Sequence, residues 1–249
     1  MKKFTLCALF AVGAMCAANA QDKAVSFGLR AGLNINTLTY SGDDEGEIRD
    51  FYKARPGFHV GAVVDCKVAG NFYIQPSIYI TTRGTKLETI SPKKPWSDFD
   101  YAKFRYSEKI NMTYLQIPIS ASYRFPVGKI VKFDLNVGPY VAIGLGGKLK
   151  VEEERTIYHR STNEIESEET ESEKFRVFGQ STAEKDYGDF KRLDAGLRFG
   201  AGLHIRKFNI GLAYDLGLAN IAYSGKYSRW GTNSKFRNGS FQVSVGCNF

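Results

Sequence analysis

The sequence predicts an all-β fold, an eight-stranded antiparallel up-and-down transmembrane β-barrel with short periplasmic turns and long extracellular loops. Three observations predict it. Eight segments alternate apolar and polar residues with a period of two, the signature of a strand with one oily and one polar face. The connections between them alternate short and long, as they do in a barrel that keeps its long loops on one side of a membrane. The chain also stops on a two-faced strand ending in Phe249. A terminal strand must pair on both edges or invite aggregation, and closing a barrel satisfies both edges.

The N-terminal segment comes first. Lys2 and Lys3 precede an apolar run from Phe4 to Ala18, and Ala18-Asn19-Ala20 follows the small-x-small pattern of a cleavage site. We read 1–20 as a signal peptide and 21–249 as one outer-membrane barrel domain. The apolar run is about 15 residues, short of the ~20 a spanning helix needs. Without the two signal lysines the chain keeps 32 basic and 26 acidic residues. The mean hydropathy of −0.29 suits a soluble protein, and equally a membrane barrel, in which only half of each strand is apolar. Cys66 and Cys247 are expected on apolar faces as small hydrophobes, without a structural disulfide.

The eight strands are expected at 25–36, 58–68, 72–83, 112–125, 131–146, 193–206, 208–221 and 241–249. Short connections fall at 69–71, 126–130 and 207; long ones fall at 37–57, 84–111, 147–192 and 222–240. In the first strand Val25, Phe27, Leu29, Ala31, Leu33 and Ile35 oppose Ser26, Gly28, Arg30, Gly32, Asn34 and Asn36. A lipocalin-like soluble barrel alternates in the same way with its apolar set inside. Here the polar set is rich in Gly, Ser and Asn, which suits the cramped interior of eight strands better than a solvated surface. Lipid on the outside is the favoured reading. Phe27, Phe72, Phe125, Phe133, Phe208 and Phe249 then form a lower aromatic girdle at the periplasmic ends. Pro76, Pro118 and Pro139 fall inside strands, and bulges are expected there.

Several motifs resemble the PorT-like outer-membrane β-barrel family. They are Tyr114-Leu115-Gln116-Ile117-Pro118-Ile119, Val137-Gly138-Pro139-Tyr140-Val141, Asp194-Ala195-Gly196-Leu197-Arg198-Phe199, Phe27-Gly28-Leu29-Arg30 and Tyr214-Asp215-Leu216-Gly217. The resemblance spans essentially the whole mature chain. It implies an eight-stranded outer-membrane barrel and no single activity. It also implies that the terminal aromatic strand is read by the barrel-assembly machinery.

Inward charges are expected from Arg30, Asp65, Lys67, Arg83, Arg124, Lys132, Asp134, Asp194, Arg198 and Asp215. Buried charges persist only when paired, so a structural lumen cluster is favoured over an ion or solute path. His59 with Ser41, Asp43 and Asp44 is the one grouping that could make a hydrolase or acyltransferase site at the outer rim. No His, Cys or carboxylate spacing fits a metal, and no cofactor is expected. Residues 151–189 carry twelve acidic and five basic residues, and 222–238 carry Lys226, Arg229, Lys235 and Arg237 without an acid. The acidic stretch is expected to dock on the basic one, or the basic one on lipopolysaccharide phosphates. Lys93, Lys94, Trp96, Phe99, Tyr101, Phe104 and Tyr106 mix charge and rings, but export argues against nucleic acid. The expected role is structural or binding, through outer loops that meet lipid, lipopolysaccharide or an unidentified envelope or extracellular partner. The alternative is a transport or secretion component.

Overall fold

The computed structural model describes residues 25–41, 52–97, 100–159, 161–182, 185, 187–223, 228 and 233–249. The expected signal peptide lies outside these residues, as do Asp43, Asp44, Phe99, Lys226 and Arg229. The described residues form ten strands: β1 Val25–Ser41, β2 Tyr52–Ala69, β3 Phe72–Ile90, β4 Lys94–Pro95, β5 Asp100–Pro126, β6 Val131–His159, β7 Ile165–Arg176, β8 Leu193–Ile205, β9 Phe208–Gly217 and β10 Lys235–Asn248. Eight of them close a ring in the order β5-β3-β2-β1-β10-β9-β8-β6, and β6 returns to β5. Every neighbour is antiparallel. The terminal strand pairs with β1 on one edge and β9 on the other, and the Phe249 amide donates to the Phe27 carbonyl at 2.7 Å. No edge is left in the ring.

The faces follow from the alternation. Phe27, Leu29, Leu33 and Ile35 of β1 are exposed, while Arg30, Asn34 and Asn36 between them are buried. Ile210, Leu212, Tyr214 and Leu216 of β9 and Phe241, Val243 and Val245 of β10 repeat the pattern, with Asp215, Ser240 and Gln242 inside. An apolar outside around a polar inside inverts the order of a water-soluble barrel. Among the described residues no helix is long and apolar enough to cross a membrane; the apolar belt is made by strands. Phe27, Phe72, Phe125, Phe208 and Phe249 are all exposed on this belt, next to the tight connections. Phe133 is half-buried, its ring 6.2 Å from that of Phe125.

Three expectations are corrected. Much of what reads as long loop is strand: β5 and β6 run for 27 and 29 residues and pair from Pro126 and Lys132 out to Asp100 and His159. β6 pairs with β8 over its first half and with β7 over its second, so a sheet of β3, β5, β6 and β7 rises from the ring. Its charged side chains hid the strand character, because alternation is hard to see where both faces are polar. The prolines also make no bulge. Pairing skips two residues beside Pro76 toward β2, beside Pro118 toward β3 and beside Pro139 toward β5, and then resumes in the same register. Each missing N–H costs a local ladder bond without shifting the strand. The register shifts lie elsewhere, at Ala54/His59, Lys67/Ala69, Thr113/Tyr114 and Ile157/Tyr158. Cys66 is disulfide-bonded, against its expected role as a small hydrophobe; Cys247 is free.

Candidate functional site

The ring interior is filled in layers. At mid-height the Asp215 carboxylate, fully buried, accepts from Arg83 Nη2 at 2.8 Å, Arg198 Nε at 2.7 Å, Gln116 Nε2 at 2.9 Å and Gln242 Nε2 at 2.8 Å. Arg83 also donates to Asp194 and to the Tyr140 hydroxyl, each at 3.2 Å. Asn238 donates to Asp194 at 2.9 Å. These side chains come from β3, β5, β6, β8, β9 and β10, so the network ties most of the ring across its own axis.

A second layer sits nearer the tight turns. Asp65 accepts from Gln75 at 2.6 Å and from Asn248 at 2.6 Å, and it pairs with Arg124 at 2.8 Å. Arg30 donates to Asn248 at 2.7 Å. Asp134 accepts from Ser122 and Asn136 and faces Arg124 at 3.9 Å. Arg124 also stacks over the Tyr73 ring at 4.0 Å. Between the layers is a cavity of about 70 Å³ bordered by His59, Tyr79, Arg198 and His204, room for only a few water-sized molecules.

Of the sequence-predicted charges, Arg30, Asp65, Arg83, Arg124, Asp134, Asp194, Arg198 and Asp215 are buried here, four cations facing four anions. Lys132 and Lys67 are not. Both hold inward register, but each is at a strand end beside a turn, and both are exposed. The open mouth lets their ammonium groups stay in water, so neither belongs to the cluster. His59 is also displaced from its expected place at the rim. It is buried, its Nδ1 2.5 Å from the Asn34 carbonyl oxygen Oδ1. Gly32 is its partner on β1, and Ser41 lies nine residues farther along that strand, ~30 Å at 3.3 Å per residue. Those two cannot share a reaction centre. Among the described residues no group of His, Cys, Asp and Glu could hold a metal ion.

The outer end of the interior holds a feature that sequence reading missed. Val177, Phe178 and Phe190, from the connection after β7, are buried with Ile221, Ala222 and Phe236 against Leu38, Tyr40, Ile110 and Leu149. Phe190 meets Phe236 edge-on at 5.5 Å, and Phe178 meets Tyr114 at 5.5 Å. The Phe178 ring occupies the space a Cβ on Gly144 would need, so that glycine seats the cap. The signal was present as Val177-Phe178 and Phe190 inside a charged stretch. Without strand periodicity, nothing assigned those rings to the interior.

Beyond the cap, the acidic stretch becomes the β6–β7 hairpin. Its acids find partners within the sheet: Glu152 with Lys109 at 2.7 Å and with Lys150, Glu154 with Arg105 at 3.6 Å, and Glu169 with Arg155. None of these pairs involves Lys235 or Arg237; Lys226 and Arg229, on which the expected docking also rests, lie outside the described residues. The Lys109 and Lys150 hydrogen bonds hold the Glu152 carboxyl down at about 2, and Lys86 likewise lowers Glu88. A cleft of about 330 Å³ opens on this sheet between Phe104, Tyr106, Glu153, Arg155, Glu169 and Glu171.

An apolar exterior, a paired polar interior and a closed ring define an integral membrane β-barrel. The model of the outer membrane protein beta-barrel domain family matches residues 19–223. The chain belongs to that family, and the protein is a Gram-negative outer-membrane barrel. It is similar over its length to several solved barrels. Ail, the attachment invasion locus protein of Yersinia pestis, is 13% identical, with 90% of this chain and 98% of that one covered at a TM-score of 0.31. Neisserial surface protein A is 14% identical, with 91% and 100% covered at 0.34. OprG from Pseudomonas aeruginosa is 12% identical, with 91% and 97% covered at 0.37. Among curated proteins none matches.

Proposed function

We propose that the protein is a non-enzymatic outer-membrane barrel with a structural, side-chain-filled lumen, and that it binds through the sheet carried outward by β3, β5, β6 and β7. The observation that carries this reading is the interior itself. Two charge-balanced layers lie beneath an apolar cap, a stack suited to holding strands together and poorly suited to passing solute. An ion crossing it would have to displace paired, desolvated charges, at a cost that membrane barrels with open lumens avoid. The outer sheet, by contrast, offers a cleft with aromatic and charged walls, the composition of binding surfaces. Kinship with the PorT-like branch is part of the same reading, supported by the Leu-Gln-Ile-Pro and Gly-Pro-Tyr motifs.

The partners in this reading are outer-membrane lipid and lipopolysaccharide around the belt, the barrel-assembly machinery during biogenesis, and an envelope or extracellular partner at the sheet. Nucleic acid and cofactors have no part in it. Planar-bilayer recording of the purified barrel tests it: the expected result is no unitary conductance at voltages that open porins. Reproducible conductance steps would overturn the structural lumen and favour transport.

A further inference from the structure

Strand register places five lysines directly opposite one another on five consecutive strands. Lys53 of β2 faces Lys86 of β3, Lys86 faces Lys109 of β5, Lys109 faces Lys150 of β6, and Lys150 faces Lys174 of β7. One rung lower, Asn111 faces Lys148, and Lys148 faces Arg176. Like charges directly opposite across a ladder are destabilising. Adjacent strands are ~4.8 Å apart, so five ammonium groups span only ~20 Å.

The sheet neutralises this row only in part. Glu152 serves Lys109 and Lys150, and Glu88 serves Lys86 at 2.8 Å and Lys53 at 3.8 Å. Glu88 is shared further with Arg105 at 3.1 Å. Among the described residues Lys148, Lys174 and Arg176 have no ion-pair partner, and all three are exposed. The two rungs therefore carry a surplus of cations.

Their position says what could meet that surplus. Lys109 is on the same face of β5 as Thr113, Leu115 and Ile117, the face that turns outward in the belt. Lys148 is three residues above Leu145 of β6, which is exposed on the belt; that is ~10 Å along the strand, ~7 Å in height at the usual barrel tilt. Headgroups occupy a layer ~5–8 Å deep outside the hydrocarbon. The lower rung is thus at phosphate depth and the lysine row immediately above it, both facing the membrane's own headgroups rather than the lumen or the cap.

We infer that the two rungs form a binding face for the phosphorylated saccharide headgroup of an outer-leaflet glycolipid. The lower rung takes the membrane-proximal phosphate, and the lysine row takes anionic groups on the sugars above. The inference deepens the lipopolysaccharide contact of the proposed function and places it on particular residues. It does not depend on whether the lumen conducts, which the bilayer recording reads separately.

The test is lipid binding by native mass spectrometry of the full mature chain released from mixed micelles. The probes are purified phosphorylated lipid A glycolipid, the same glycolipid after phosphatase treatment, phosphatidylcholine, and the delipidated phosphorylated oligosaccharide. Wild-type protein is expected to retain the phosphorylated glycolipid at least tenfold better than the dephosphorylated one. The triple variant Lys148→Gln/Lys174→Gln/Arg176→Gln, which leaves both Glu-bound pairs intact, should lose that preference. Lys148→Arg/Lys174→Arg/Arg176→Lys should keep it. Heat-modifiable gel migration of all variants checks that the barrel is formed. Equal retention of the two glycolipids, an unchanged Gln variant, or binding of the soluble oligosaccharide as tight as that of the intact glycolipid would each overturn the inference, the last in favour of a soluble polyanion.

Discussion

Replacing Asp215 by alanine withdraws one carboxylate from two buried arginines and two glutamines at once. Arg83 and Arg198 lose partners at 2.8 and 2.7 Å, and Gln116 and Gln242 lose acceptors at 2.9 and 2.8 Å. Removing one partner of a buried ion pair costs ~3–5 kcal/mol, because the other charge stays behind without compensation. Arg83 keeps Asp194 at 3.2 Å, so the orphaned charge is chiefly Arg198. The loss is therefore expected within that range rather than at twice it. With a urea dependence of roughly 1–3 kcal/mol per molar, the unfolding midpoint in detergent micelles should fall by roughly 1–5 M, read by tryptophan fluorescence and by heat-modifiable migration. Alanine at Asp194, whose acceptor bonds are longer and fewer, should cost less. A companion variant, Arg198→Leu with Asp215→Leu, removes cation and anion together and should recover most of the loss, since an apolar replacement of a whole buried pair is often nearly neutral. If Asp215→Ala shifted stability by less than ~1 kcal/mol, or the double variant were no better than the single, the network would not be the brace its geometry indicates.

Two further outcomes follow from other regions. Glu152 is held at about 2, below the ordinary carboxylate value, so its pairs with Lys109 and Lys150 are fully present above pH ~4.5 and fade as pH falls toward 2; amide protection in the β5–β6–β7 sheet, taken relative to the intrinsic exchange rate at each pH, should be high at pH 5 and fall near pH 2, whereas Glu152→Gln should lower it already at pH 5. Deleting Phe249, which closes the ladder onto Phe27, should lower the amount of barrel in the outer membrane without altering ligand binding by what does assemble; unchanged membrane levels would count against a role for that residue in assembly.

The ring was legible in the sequence because one face of each strand meets lipid and the other a crowded lumen, a contrast strong enough to read at Phe27-Gly28-Leu29-Arg30 without any other information. Eight of the charges expected inside lie inside for the same reason. Lys67 and Lys132 were misjudged because periodicity reports the direction of a side chain and not its depth, and both point inward where the lumen is already open. The outer sheet was illegible for the converse reason. From Glu152 to Glu173 both faces of the hairpin meet water, so no alternation distinguishes a strand from a loop. The cap was hidden differently: Phe178 and Phe190 reach the interior from an irregular segment, and only tertiary packing decides where such a segment turns.

The continuity of β5 and β6 has a mechanical consequence. Both strands run without a turn from the periplasmic rim to the tip of the outer sheet, and β6 exchanges β8 for β7 as its neighbour partway up. A pull applied at the tip would load many ladder hydrogen bonds in parallel, in shear along the strands, rather than opening them one after another from an end. Whatever the sheet holds is therefore fixed to the envelope by a stiff mast rather than a slack tether, with its root in the membrane.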